Sequence, residues 1–493
     1  MEHILLGFSS VLNPTNLLVL TFGVMLGMLV GALPGLNDTI TMAVLIPITF
    51  GMAPHVALCL LVGVYTASCY GGSIPAILLK IPGTAASLVT TLDGYPMTER
   101  GEANQALGIS ISSSVFGGIF SSLILLFFAP ILANQALKFG PPEYFMLGVL
   151  GISSVLGMAT KDIMKNIISL FVGLFISLVG ISAQTGTTRF TFGNYNLFSG
   201  VPFVPALIGL FGVVSLLNIL ENIGMKQEQI KKPGKIGSVL ISKKMAKKLL
   251  PTWITSSLIG SGCGVLPGAG FIMAVFMSYD LTMKRLKNKV FGTGIDEGIA
   301  APESANNSVV ASSMVPLLSL GIPGNSSSAL FLGALTIQGV KAGPALFTDY
   351  PGVAFHIMVS FLVANIIMFP LGVIFCRHFA GIILNLPKDI LAVVVTILCV
   401  TGSYAILNSV FAIYLTIFFG ILGYLFNKIS LPLSPLILCM ILGSMMEKNF
   451  IQALTISNYN FKIFLSSGIS IGLFLLSMLF IMMPIIKNIK KRK

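Results

Sequence analysis

Two passages that combine Gly, Pro and small hydroxyl or amide residues within apolar sequence are near copies of one another. The first runs Gly31-Ala32-Leu33-Pro34-Gly35 and later Ile81-Pro82-Gly83-Thr84; the second runs Gly264-Val265-Leu266-Pro267-Gly268 and later Gly321-Ile322-Pro323-Gly324-Asn325. A helix that resumes after such a break starts with unpaired N–H groups and roughly half a positive charge from its dipole. Helix starts of this kind attract anions. Thr84, Ser87, Asn325, Ser326, Ser327 and Ser328 offer hydroxyl or amide groups there, and Gly35, Gly83, Gly268, Gly270 and Gly324 let a ligand approach the backbone. Asn37, Thr39 and Thr41 follow the first Pro-Gly pair. Each motif alone also reads as a helix kink with packing hydroxyls. Four motifs in two matching pairs point instead to a transport site near a membrane midplane.

Charged and amide residues in apolar surroundings extend the candidate set. Lys80 precedes the first break, where its ammonium pairs with a substrate carboxylate, replaces a coupling cation, or snorkels to water. Asp38 stands at a tip where it binds a cation or proton, or simply meets water. Glu303 is read as opening a helix after Pro302, in ion coupling or as a partner of the helix dipole. Asn306 and Asn307 need partners inside an apolar helix and are candidates for binding, as is Ser73. The sequence holds no HExxH, phosphate-loop or GxSxG signature, and its four His are dispersed, so no enzyme, cofactor or catalytic residue is expected. The six Cys form no CxxC pattern and read as small core residues.

The elements that position these residues follow from composition. The chain has 493 residues, 55% hydrophobic and 9% charged, with mean hydropathy +0.95. Runs of about 20 apolar residues recur along it, which predicts an all-α polytopic membrane protein and excludes a soluble domain or a membrane barrel. The net charge of +13 lies in short loops and at the C-terminus, reporting orientation rather than nucleic-acid binding. The basic linker 226–250 and the basic tail 487–493 are expected to be cytoplasmic, and no cleaved signal peptide is expected. The linker separates two halves, 1–225 and 251–486, whose equivalent loops carry opposite charge character. That pattern predicts inverted-topology repeats. Each half is expected to hold a re-entrant hairpin (17–51 and 252–283) followed by a broken helix (about 54–92 and 303–337). One long, tilted, kinked helix in each place is the alternative.

These residues resemble the large membrane subunit of the tripartite tricarboxylate transporters. The resemblance rests on Gly31-Ala32-Leu33-Pro34-Gly35-Leu36, Tyr70-Gly71-Gly72-Ser73-Ile74, Ile81-Pro82-Gly83 and Asp93-Gly94-Tyr95-Pro96, then Ala301-Pro302-Glu303-Ser304-Ala305-Asn306-Asn307, Leu320-Gly321-Ile322-Pro323-Gly324 and Gly333-Ala334-Leu335. It implies a secondary importer of small carboxylates in a bacterial inner membrane, driven by a Na⁺ or H⁺ gradient. A periplasmic solute-binding protein and a small four-helix membrane subunit are its implied partners. Two positions depart from the family pattern: Lys80 stands where Asn is usual, and Asp38 where the residue is usually uncharged. A stand-alone ion-coupled transporter of another solute, or an ion channel, remains the alternative.

Overall fold

The computed structural model describes all residues except 1, 34–35, 158–162, 183–184, 222–236, 268–269, 379–387 and 493. The first half contains α1 (Glu2–Val11), α2 (Pro14–Gly31), α3 (Asp38–Leu45), α4 (Pro54–Gly71), α5 (Ser73–Leu79), α6 (Thr90–Glu99), α7 (Ala103–Ala136), α8 (Pro141–Gly157), α9 (Ile163–Ser177), α10 (Phe203–Leu207) and α11 (Val214–Glu221). The second contains α12 (Lys243–Val265), α13 (Gly270–Arg285), α14 (Asp296–Ser312), α15 (Met314–Leu320), α16 (Ser326–Ile337), α17 (Ala345–Asp349), α18 (Pro351–His378), α19 (Lys388–Leu407), α20 (Val410–Lys428), α21 (Leu433–Ile456) and α22 (Gly468–Arg492). A two-stranded antiparallel hairpin, Gly180–Ile181 with Thr188–Arg189, follows α9. Among the described residues, seven helical stretches are long and apolar enough to cross a bilayer. The protein is an all-α, multi-pass membrane protein in which apolar side chains such as Leu18, Phe22, Phe127, Phe128 and Phe418 cover the exterior.

Polar residues lie at the centre. Every residue of α4 from Ala57 to Gly71, and of α14 from Glu297 to Ser312, is buried. A glycine seam brings α2 against α4: a Cβ on Gly23, Gly27 or Gly31 would stand 2.5, 2.5 or 2.3 Å from the carbonyl oxygens of Leu60, Val64 and Ser68. In the second half, a Cβ on Gly260 of α12 would stand 2.3 Å from the carbonyl oxygen of Ala305 on α14. Small residues permit this approach of backbones, which lets dispersion forces act where lipid removes the hydrophobic drive.

The breaks after α5 and α15 share their local geometry. The α5 helix ends at Lys80 with φ 60°, and Ile81 N–H donates to Pro75 O at 3.3 Å; α15 ends at Gly321 with φ 76°, and Ile322 N–H donates to Pro316 O at 3.3 Å. Both are left-handed caps, which favour Gly or Asn. Lys80 is exposed, with its ammonium 5.5 Å from the centre of the Tyr95 ring. We expect Lys80→Gly to raise thermal stability by about 1 kcal/mol and to leave uptake unchanged, whereas Lys80→Val lowers stability. Unfolding midpoints of the purified protein check this.

Two element boundaries differ from the sequence reading. Lys243 to Lys248 form the first turns of α12, capped by Ser242 accepting from Met245 N–H at 3.2 Å, instead of belonging to a loop. Glu303 does not open a helix: α14 starts at Asp296, and Pro302 lies inside it. Acidic Asp296 and Glu297 occupy the first turn, where the helix dipole favours them.

Candidate functional site

Four interrupted segments meet at one cavity of about 270 Å³. The start of α3 contributes Asn37, Asp38 and Thr39, and the chain after the first break contributes Thr84 to Ala86. The start of α13 brings Gly270 to Ile272, and the chain after the second break brings Pro323 to Ser327. Asn306 of α14, Cys69 of α4, Val155 of α8 and Ser434 of α21 complete much of the wall.

Local chemistry fixes these segments. Asn37 caps α3, its Oδ1 accepting from Ile40 N–H at 2.8 Å. Asn325 caps α16 through a reciprocal box: its Oδ1 accepts from Ser328 N–H at 2.8 Å, and its own N–H donates to Ser328 Oγ at 2.8 Å. The Asn325 amide also donates to Tyr65 Oη at 3.0 Å, which ties the second break to α4 of the first half. Thr84 and Ser87 close a tight turn, with Ser87 Oγ donating to Thr84 O at 2.8 Å. The starts of α3 and α16 therefore border the cavity with a fixed frame behind them; at α3 the Asp38 and Thr39 N–H groups are engaged by the Asp38 carboxylate, whereas the start of α16 is the helix end suited to an anion.

Backbones cross behind the cavity. A Cβ on Gly83 would lie 2.6 Å from Gly31 O and 2.7 Å from Gly72 Cα; one on Gly324 would lie 2.7 Å from Gly264 O and 3.0 Å from Ser313 Cβ. Each break thus rests on the end of a glycine-seam helix.

The structure brings together Asn37, Asp38, Thr84, Asn306, Gly324, Asn325 and Ser326 of the candidates. Gly83 lies at the backbone crossing beside Thr84. Gly35 and Gly268 lie outside the described residues. Ser73, Asn307, Lys80 and Glu303 do not line the cavity. Asn307 Nδ2 donates back to Glu303 O at 3.4 Å, and Lys80 points to the surface.

Glu303 has a different position from the expected helix start. Fully buried, it accepts hydrogen bonds from Ser73 at 2.6 Å and Thr90 at 2.5 Å on Oε1, and from Ser110 at 3.1 Å and Ser114 at 2.8 Å on Oε2. Asp38 is not bathed in water at a tip. It is 7% exposed, and Ser327 Oγ donates to its Oδ2, while Thr39 Oγ1 lies 2.8 Å from Ser327 Oγ.

Ser434 lines the cavity without having been a candidate, and two buried groups away from its wall, Asp93 and His356, were given no role in the sequence reading. Ser434 Oγ, 3.2 Å from Ser326 Oγ, belongs to the stretch Leu431-Pro432-Leu433-Ser434-Pro435, and the likeness of that stretch to Val201-Pro202-Phe203-Val204-Pro205 of the first half is the signal that could have found it. Asp93 is fully buried and takes the N–H groups of Gly292, Gly294 and Ile295 at 3.0, 2.8 and 3.1 Å on Oδ1, and the Tyr279 hydroxyl at 2.8 Å on Oδ2. His356, distant in sequence from His55, packs its ring edge-on against it with centroids 4.8 Å apart.

Residues 17–438 match the family model described as the Tripartite tricarboxylate transporter TctA family. The chain belongs to that family. Among curated relatives of this TctA-family protein, an uncharacterised 52.8 kDa protein of Agrobacterium vitis, from the TAR-I ttuC′ 3′ region, is 35% identical over 493 residues, covering 100% of this chain and 97% of the relative. A second A. vitis protein, from the TAR-II ttuC′ 3′ region, is 33% identical over 235 residues, covering 48% of this chain and 97% of its own. An uncharacterised protein of Methanocaldococcus jannaschii is 24% identical over 442 residues, covering 87% of this chain and 100% of its own. No solved structure matches the chain significantly. TctA membership makes the protein a membrane transporter subunit rather than an enzyme, and the tripartite organisation of the family implies a solute-binding protein and a small membrane subunit as partners.

Proposed function

We propose that this chain is the large subunit of an ion-gradient-driven importer that takes small carboxylates from a periplasmic binding protein, and that the cavity described above holds the solute. The observation that carries this reading is the convergence of two capped helix starts, at Asn37 and Asn325, on a cavity shared by both halves of the chain. Its volume of about 270 Å³ lies just below the usual ~300–1,000 Å³ of drug-sized ligand pockets, which favours a solute of metabolite size. Residues 1–225 and 251–486 form inverted repeats in this reading. The matching glycine seams, left-handed caps and crossings at Gly83 and Gly324 support that assignment. Segments 17–51 and 252–283 act as re-entrant hairpins and move with the broken helices in alternating access, with the basic linker and C-terminus in the cytoplasm of a bacterial inner membrane.

The test is uptake of a radiolabelled carboxylate panel by cells that express the chain with its binding protein and small subunit, in Na⁺ and in Na⁺-free buffer. Saturable uptake that needs the binding protein is expected. Asn325→Ala and Ser326→Ala should each lower it by about tenfold or more, the equivalent of one hydrogen bond to a charged group, with protein still present in the membrane. Normal uptake by both variants would remove the α16 start from the site. Saturable uptake without the binding protein would turn the reading to a stand-alone transporter.

A further inference from the structure

The cavity assigned above to an anion contains a carboxyl group and, among the described residues, no cationic side chain. None of its lining residues is Lys, Arg or His, and Asp38 sits among them. The two buried carboxylates of this central region have different surroundings. Glu303 receives four hydroxyls and does not touch the cavity, whereas among the described residues Asp38 receives one hydroxyl, that of Ser327 on Oδ2, together with the backbone N–H groups of Asp38 and Thr39. Asn306, 2% exposed, lines the same cavity, its Nδ2 donating to Cys69 O at 3.3 Å and its Oδ1 having no hydrogen-bond partner among the described residues.

An anion held about 6 Å from an ionised Asp38 loses on the order of a hundredfold in affinity at an effective dielectric of ~20. Neutralising Asp38 removes that repulsion and adds an O–H donor. From this geometry we infer that Asp38 is a proton-binding site of the transport cycle, loaded together with the anion. A solvent proton forms the O–H bond on Oδ1, since Oδ2 already accepts from Ser327; no other bond changes. The Thr39, Ser327 and Asp38 side chains are linked by hydrogen bonds, and the Na⁺ and K⁺ arms of the test below separate a bound proton from a bound cation. The other groups near Asp38 do not compete for the proton. The α4 helix brings the Cys69 thiol and Tyr65 phenol, which ordinarily ionise above pH 8. The Cys399 thiol of α19 sits against Gly212, and neither α2, α16, the turn 46–51 nor residues 208–213 brings a titratable side chain against α3.

This inference rests on the anion reading of the cavity, but its test needs no transport. Dicyclohexylcarbodiimide adds to a protonated buried carboxyl: the proton passes to a carbodiimide nitrogen, the carboxyl oxygen bonds to the central carbon, and rearrangement leaves a stable acylurea. Full-length purified protein is treated across about pH 5 to 8, in Na⁺ and in K⁺, and adducts are located by mass spectrometry. The expected result is an adduct at Asp38 that declines as pH rises, equal in both salts, lost in Asp38→Asn, and absent from Glu303, which is closed off by its hydroxyls. Absence of an Asp38 adduct across this range would overturn the proposal, and protection by Na⁺ but not K⁺ would replace it with a cation site. Either failure leaves the uptake experiment above untouched, so the two readings fail separately.

Discussion

Replacing Glu303 with alanine is expected to remove about 3–5 kcal/mol of stability, on the order of 1 kcal/mol for each of the four buried hydroxyls that loses its acceptor. The carboxylate binds Ser73 at the start of α5, Thr90 at the start of α6, and Ser110 and Ser114 on successive turns of α7. Truncation leaves four buried hydroxyls to find new acceptors, and in a helix interior their main recourse is the carbonyl one turn back. Glu303→Gln keeps the shape, and because each hydroxyl both donates and accepts, two of them can turn to accept from the amide. The glutamine variant should therefore lose less than half as much. Thermal unfolding of the detergent-purified protein separates the cases. An alanine variant as stable as the parent would show that α14 is not tied to the first half through this residue.

The glycine seams give the second large effect. Gly31→Ala places a methyl 2.3 Å from the backbone oxygen of Ser68, and Gly260→Ala does the same against Ala305. Backbone cannot rotate out of the way as a side chain can, so the helices must separate. Each change should cost roughly 1–3 kcal/mol, the range for overpacking, and should lower uptake more than that loss of stability explains, because Gly31 also supports Gly83 at the first break. Gly262→Ala, where a Cβ meets nothing within 4 Å, is the control on the same helix as Gly260. Retained stability and uptake in both seam variants would show that the approach of the helices is not tight.

Pro and Gly in apolar sequence were enough to locate all four cavity segments, because few residue pairs break a helix and their positions relative to one another survive folding. The rotational setting of a helix was not legible. Asn306 and Asn307 are adjacent and chemically identical, yet the 100° between them sends one to the cavity and the other back to its own helix. An α14 that is buried on every side has no apolar stripe from which that phase could be read. Pro302 looked like a first-turn proline, which placed Glu303 at a helix start; the surrounding helices tolerate it in mid-helix instead. The lysines 243–248 read as a loop by charge alone, although lysine is a good helix former once Ser242 supplies a cap. Asp38 was legible as unusual, but its burial depends on Ser327, 289 residues away in the chain.

The Asp93 carboxylate has a bearing on biogenesis. Ile295, at the cap position of α14, has no side-chain oxygen to offer its own helix, and the amides just before that helix are satisfied by a residue made about 200 positions earlier. Chains are synthesised from the N-terminus, so the acceptor has already been made when residues 292–295 leave the ribosome. The first half therefore carries, before the second is made, an acceptor that the start of α14 uses in the folded protein.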